Sequence, residues 1–283
     1  MTHAAEIHVR GLGFPEGPVA LADGSIAFVD LLHAKVRAWR DGRVREICTL
    51  PGAPNGMRRG PDGALYVCNN GGIAPLSLHE LHFAEPQITG RLQRIAADGS
   101  VADHATALPG EPPWRPNDLV FAPGGGIVFT DPQNWEVLGD PATAASYRGG
   151  QLLLATPQGQ VTRLATMTGF PNGLAFHPEG FLVVGITMEH RLVRFDWLGD
   201  RVGPPATWIA LDDRFNPDGM VFHGDRLYVT GSTGDRVAVI DLAGRLVETI
   251  DTGAGSDPTN CCVHDGRLWV TLGLPGQLVS YRL

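Results

Sequence analysis

One motif recurs six times along this chain and limits the fold more than any other feature. Each copy opens with a proline and a polar residue, usually followed by glycine. An apolar run, a tight turn and a second apolar run follow. The copies open at Pro15-Glu16-Gly17, Pro54-Asn55-Gly56, Pro116-Asn117-Asp118, Pro171-Asn172-Gly173, Pro217-Asp218-Gly219 and Pro258-Thr259-Asn260. The polar residue precedes the turn glycine by eight positions in copies one to four (16 to 24, 55 to 63, 117 to 125, 172 to 180) and by seven in copy six (259 to 266). Self-similarity of this kind marks a repeat architecture.

Within each copy the apolar residues alternate, as in Ile26 and Phe28 or Leu65 and Val67, which is the period of a strand. Asp23-Gly24 and Asp62-Gly63 are hairpin turns by composition. Further strand-like runs follow at Lys35–Trp39, Arg91–Ala96, Arg191–Asp196 and Arg236–Asp241. The polar residues are spaced 39, 62, 55, 46 and 41 apart, close to the 40–50 residues of a four-stranded propeller blade. The sequence therefore predicts an all-β, six-bladed β-propeller with four-stranded antiparallel blades, forming one domain over residues 1–283. The long second and third intervals require insertions at 70–90 and 132–148, and no helix is evident. The strand around Ile7–Val9 is expected to close the ring on the last blade. A β-sandwich or stacked solenoid is the competing architecture.

In a propeller the first strand of each blade lines the channel. With each polar residue placed just before that strand, the repeat arranges Glu16, Asn55, Asn117, Asn172, Asp218 and Thr259 in a ring. Two carboxylates and three amides form an oxygen-rich set suited to one hard divalent cation, with Ca2+ first and Mg2+, Mn2+ or Zn2+ as alternatives. Such an ion would also offset the repulsion between Glu16 and Asp218 in a partly desolvated channel. The competing reading is that Asn and Asp merely start turns. Five of six equivalent positions carrying these residues favour the site.

Other features exclude function classes. The net charge is −8 and no basic run stands out, which argues against a nucleic-acid partner. Arg58-Arg59 reads as solvated loop charge. No apolar run reaches a membrane span, and the first residues lack a secretory pattern. Cys48, Cys68, Cys261 and Cys262 form no C-x-x-C pair; free buried thiols fit a cytoplasmic location. There is no G-x-S-x-G elbow, and Gly124-Gly125-Gly126 sits in a hairpin rather than a phosphate loop. His79 and His82 lie in an insertion without zincin spacing. His177, His223 and His264 occupy like positions near hairpin turns and read as structural. His190 stays open, and Glu111 and Asp131 are weaker acidic candidates.

The stretches PEGPV at 15–19, RPNDLVF at 115–121, FTDP at 129–132, FPNGLAF at 170–176 and NPDGM at 216–220 resemble the regucalcin (senescence marker protein), gluconolactonase and lactone-hydrolase family of six-bladed propellers. The resemblance implies metal ligands at Glu16, Asn172 and Asp218. It implies an asparagine at Asn117 that contacts substrate, a metal-associated water or the metal itself, and a substrate-orienting Arg115. Its implied reaction is hydrolysis of a small-molecule lactone, with Asp218 as general base or nucleophile and Asn117 and Arg115 steadying the oxyanion. Asn55 is expected to touch substrate or support the ligands, and Trp114 to wall the pocket or simply pack. Aryl-ester or organophosphate hydrolysis and non-catalytic calcium binding are the alternatives. The 70–90 insertion, with Leu81 and Phe83, leaves the substrate open.

Overall fold

The computed structural model describes residues 4–77, 80–107 and 111–283. These form six four-stranded antiparallel sheets and one two-stranded hairpin. Each copy of the repeat supplies the innermost strand of one sheet. Blade one comprises strands Pro15–Ala20, Ile26–Asp30, Lys35–Arg40 and Arg43–Thr49, paired in that order. Blades two to five follow the same meander. Blade six takes three strands from the C-terminus and its outermost strand, Glu6–Val9, from the N-terminus, with Ile7 opposite Val279. The expected ring closure is therefore present.

The alternation in the sequence explains how the blades pack. In Ile26–Asp30, Ile26 and Phe28 face blade six beside Trp269 and Leu278, while Ala27 and Val29 face blade two beside Met57 and Val67. Both faces of a middle strand are covered, so every residue of it is buried. An apolar cluster of this kind lies at each of the six junctions between neighbouring blades. At roughly 25 cal/mol per Å2 buried, these junctions are the main cohesive term. Outermost strands such as Leu246–Asp251 are largely exposed and polar on one face.

Buried threonines tie four of the blades to the inner strand of the blade that follows. Thr130 Oγ1 donates to the carbonyl of Asn172, Thr187 Oγ1 to that of Pro217, and Thr230 Oγ1 to that of Thr259, each at 2.8 Å. Thr259 Oγ1 donates to the Pro15 carbonyl at 2.8 Å and ties blade six to blade one. These bonds fix the backbone that carries the ring residues. The predicted insertions also appear. The hairpin Ile73–Ser77 with Glu80–Phe83 departs from blade two, and short 3-10 turns at Trp135–Gly139 and Ala144–Ser146 interrupt blade three. Among the described residues no helix is long and apolar enough to cross a membrane.

Candidate functional site

The polar residue of the repeat lies within the inner strand in five blades, not just before it as expected. It sits at a break in pairing register. The ladder slips between Glu16 and Val19, Pro54 and Met57, Pro171 and Leu174, Pro217 and Met220, and Pro258 and Asn260. The preceding proline has no N–H to give a ladder, and the bulge re-aims the side chain that follows. This is how one short motif turns a strand residue into a ring residue.

Glu16, Asn55, Asn117, Asn172 and Asp218 are all buried, and together they floor a cavity of about 280 Å3 at one mouth of the channel. Thr259 is the exception. Its hydroxyl is spent on the Pro15 carbonyl and on Thr271, and it does not line the cavity. Asp257, one residue before the sixth proline, lines the cavity instead.

A second polar layer follows from the next residue of each motif. Four copies carry glycine there, while copies three and six carry Asp118 and Asn260. The glycines make room for those two. A Cβ on Gly56 would lie 2.3 Å from Asp118 Oδ1, and one on Gly219 would lie 2.1 Å from Asn260 Cγ. Asn260 Nδ2 donates to Asp118 Oδ2 at 3.2 Å, and Arg58 Nη2 pairs with the same oxygen at 3.1 Å. Arg58 also reaches the Met57 carbonyl at 2.9 Å and the Met220 carbonyl at 3.4 Å. The reading of Arg58 as solvated loop charge is thus overturned. It belongs to the inner strand Pro54–Arg59 and spans the channel, because strand alternation after the bulge sends Met57 into the core and Arg58 inward.

The carboxylates of the floor are held out of water. Burial, then the neighbouring Asp118, pushes Glu16 up to about 8, against the Gly17 N–H at 2.7 Å, Asn260 and Arg58, which favour its charged form. Asp218 is raised well above the usual carboxylate range by burial and then by Glu16, Asp257 and Asp118, with an Asn172 hydrogen bond opposing. Asp118 and Asp257 are raised as well, burial being the main cause for each. Two amide oxygens, Asn55 Oδ1 and Asn117 Oδ1, are buried without a hydrogen-bond partner. Orphaned acceptors of this kind call for an explanation.

A cation supplies one, since it would engage orphaned oxygens and stabilise both ionised carboxylates. Among the described residues no three His, Cys, Asp or Glu side chains cluster around one point, so the amides must complete any ligand set. Among the described residues no His or Cys lines the cavity. That donor chemistry fits Ca2+ and, less well, Mg2+ or Mn2+, and lacks the nitrogen and sulfur that Zn2+ favours.

The profile described as the SMP-30/gluconolactonase/LRE-like region matches residues 14–273. The chain belongs to that family. A gluconolactonase of Zymomonas mobilis subsp. mobilis is 26% identical over 194 residues, which are 62% of this chain and 49% of that protein. The chain thus spans about half the length of that curated relative. A solved gluconolactonase from Xanthomonas campestris superposes with a TM-score of 0.79 at 25% identity, covering 99% of this chain and 90% of that one. Regucalcin from Agrobacterium tumefaciens, described as a calcium-binding protein, shares the fold with a TM-score of 0.77 at 18% identity, covering 99% and 94%.

In this family member the remaining sequence candidates are dispersed. Trp114 packs in the core with its ring centroid 5.7 Å from that of Phe129, and it is Trp135 that walls the cavity. Arg115 does not line the cavity. Its Nη1 donates to the Trp114 carbonyl at 3.3 Å and its Nε lies 3.9 Å from Glu136 Oε2. Asp131 accepts from the backbone N–H of Arg115 and Gln133 and from the Gln151 side chain, which makes it a structural anchor. His177 stacks on Phe181 at 4.1 Å and bonds the Leu242 carbonyl. His190 takes a left-handed turn conformation beside the Phe215 carbonyl. His82 lies on the exposed hairpin, Glu111 is exposed, and His79 lies outside the described residues. All four cysteines are free. Sequence reasoning missed Asp118, Asn260 and Asp257. The first two were visible as departures from glycine in the repeat.

Proposed function

We propose that this chain is a divalent-metal-dependent lactonase, opening a cyclic ester to a hydroxy acid, with Ca2+ as the fitting ion. The observation that carries this reading is the convergence of two buried carboxylates, both raised in pKa, with two partnerless amide oxygens on the floor of one cavity. Family membership and the likeness to gluconolactonases support the same reaction class.

Glu16, Asn172 and Asp218 would hold the ion, with Asn117 Oδ1 beside them. Once bound, such an ion supplies Lewis acidity, polarising an ester carbonyl and lowering the pKa of a water. Asp218 takes the proton of the attacking water, being the carboxylate of the ring placed to act as base. The water oxygen bonds to the acyl carbon, the ring C–O bond breaks, and the leaving alkoxide takes up the proton held on Asp218, which returns the base to its ionised form. Asn117 Nδ2 is a donor available to the developing oxyanion, and Asn55 contacts substrate from the neighbouring blade. Glu16 stays a ligand. Arg115, behind the wall, braces the Trp135–Gly139 turn rather than touching substrate.

A lactone panel followed by acid release, on metal-stripped and metal-restored protein, tests this directly. Hydrolysis should vanish on stripping and return with the ion. Asp218→Asn keeps shape and an oxygen ligand while removing the basic carboxylate. Its kcat should fall about 10²-fold or more, the scale of general base catalysis, while calorimetry still detects the ion. A variant that binds the ion and turns over at the parent rate would reduce Asp218 to a ligand.

A further inference from the structure

We propose that the cavity takes a lactone bearing an apolar substituent, an alkyl chain or aryl ring, in preference to a polyhydroxylated sugar lactone. This rests on the lactonase reading of the same site.

The floor is polar, whereas the roof and most of the wall are apolar. Two segments outside the blade pattern form the roof. In the hairpin, Ile73, Pro75 and Ser77 alternate onto the cavity side, and Pro75 pairs across the hairpin with Leu81, which also lines it. In the 3-10 turn, Trp135 and Leu138 are three residues apart and so share one side of the turn, and both line the cavity. The two segments meet: a Cβ on Gly139 would lie 4.0 Å from Leu81 Cδ1. Phe14 and Phe170 add aromatic wall.

The polar groups of the wall offer little to sugar hydroxyls. Thr187 Oγ1 is committed to the Pro217 carbonyl at 2.8 Å, Ser232 Oγ donates to the Asn216 carbonyl at 3.4 Å, and Thr233 Oγ1 accepts from Asn216 Nδ2 at 2.9 Å. Among the described residues no Lys, Arg or His lines the cavity. A hydroxyl buried here without a partner is penalised, whereas each methylene placed against Leu81, Trp135 or Leu138 gains. The volume, near the small end of ligand pockets, limits how long the substituent can be.

The test has two arms on the metal-loaded protein. The first compares kcat/KM for glucono-δ-lactone with that for δ-lactones substituted from methyl to heptyl. The second measures, by calorimetry, the binding of the matching δ-lactams, which are not hydrolysed. We expect kcat/KM and lactam affinity each to rise about fourfold per added methylene until the cavity is full. Glucono-δ-lactone should rank below the longer alkyl lactones. Leu138→Asn should flatten both series and Leu138→Met should restore them, with unchanged melting temperatures confirming the fold. Equal or better turnover of glucono-δ-lactone, with lactam affinity flat in chain length, overturns the proposal and leaves the lactonase reading intact. Lactams that bind with rising affinity while no lactone of either class is hydrolysed would overturn the lactonase reading and keep the apolar preference.

Discussion

The floor of the cavity is built from the inner strands of four blades and from Asn117, just ahead of the inner strand of blade three, and its roof from two segments that belong to no blade. The floor residues are polar, buried and held by a repeated bulge, with threonine bonds such as Thr130 to Asn172 tying their backbone to the next blade. The roof residues are mostly apolar, and the cavity edge is open to solvent; Met188, at the rim, is 55% exposed. The contrast separates two tasks. A cation site needs several groups fixed to within a fraction of an ångström, which a closed ring of packed sheets provides. Selection among substrates needs a surface that can change without disturbing that ring, and insertions provide it.

The contrast implies that the floor is sensitive and the roof tolerant. The largest effect should come from the channel. Arg58→Met leaves the Asp118 carboxylate, 1% exposed, without its ion-pair partner. Breaking a buried pair in this way costs about 3 kcal/mol or more, so chemical denaturation should show a loss of that size. A loss under about 1 kcal/mol would mean that the channel is wetter and more forgiving than its packing shows.

The next effect is linked to protons and metal. Without the ion, the folded chain holds a proton on Glu16 up to about 8, whereas the ordinary value is 4.5. The folded state therefore binds more protons than the unfolded state between those values. Stability from this group is complete below about 4.5 and lost as pH rises through about 8, and the raised Asp218, Asp118 and Asp257 act in the same direction. Metal-stripped protein should lose melting temperature as pH climbs through this window. The loaded protein should not, and at a hundredfold excess of ion over Kd it should gain about 2.7 kcal/mol. Identical pH profiles for the two forms would remove the electrostatic case for the ion.

The smallest effect belongs to the rim beneath the roof. Met188→Ser should change stability by no more than about 0.5 kcal/mol, as read from a urea midpoint. A larger loss would show that the rim is part of the packed structure and blur the distinction between floor and roof.

The same distinction sets what could be read from the sequence. The blades were legible because the period of two and the turn glycines are local signals, and the ring followed because six copies align. Arg58 was misread because its inward direction depends on a bulge two residues earlier. Asp118 and Asn260 were overlooked because they appear as departures from the motif, and their meaning emerges only when opposite sides of the channel meet. Thr259 aligned with the ring yet turned into the wall, since its short side chain finds the Pro15 carbonyl. Trp135 was overlooked and Trp114 considered in its place, because the roof has no repeat to align against.

The most direct test is calorimetric titration of metal-stripped protein with Ca2+, beside the Glu16→Gln and Asp218→Ala variants. The account predicts one saturable site per chain in the parent, with affinity at least tenfold weaker in Glu16→Gln and lost in Asp218→Ala. A parent that binds no divalent ion saturably, or whose binding survives Asp218→Ala unchanged, would contradict it.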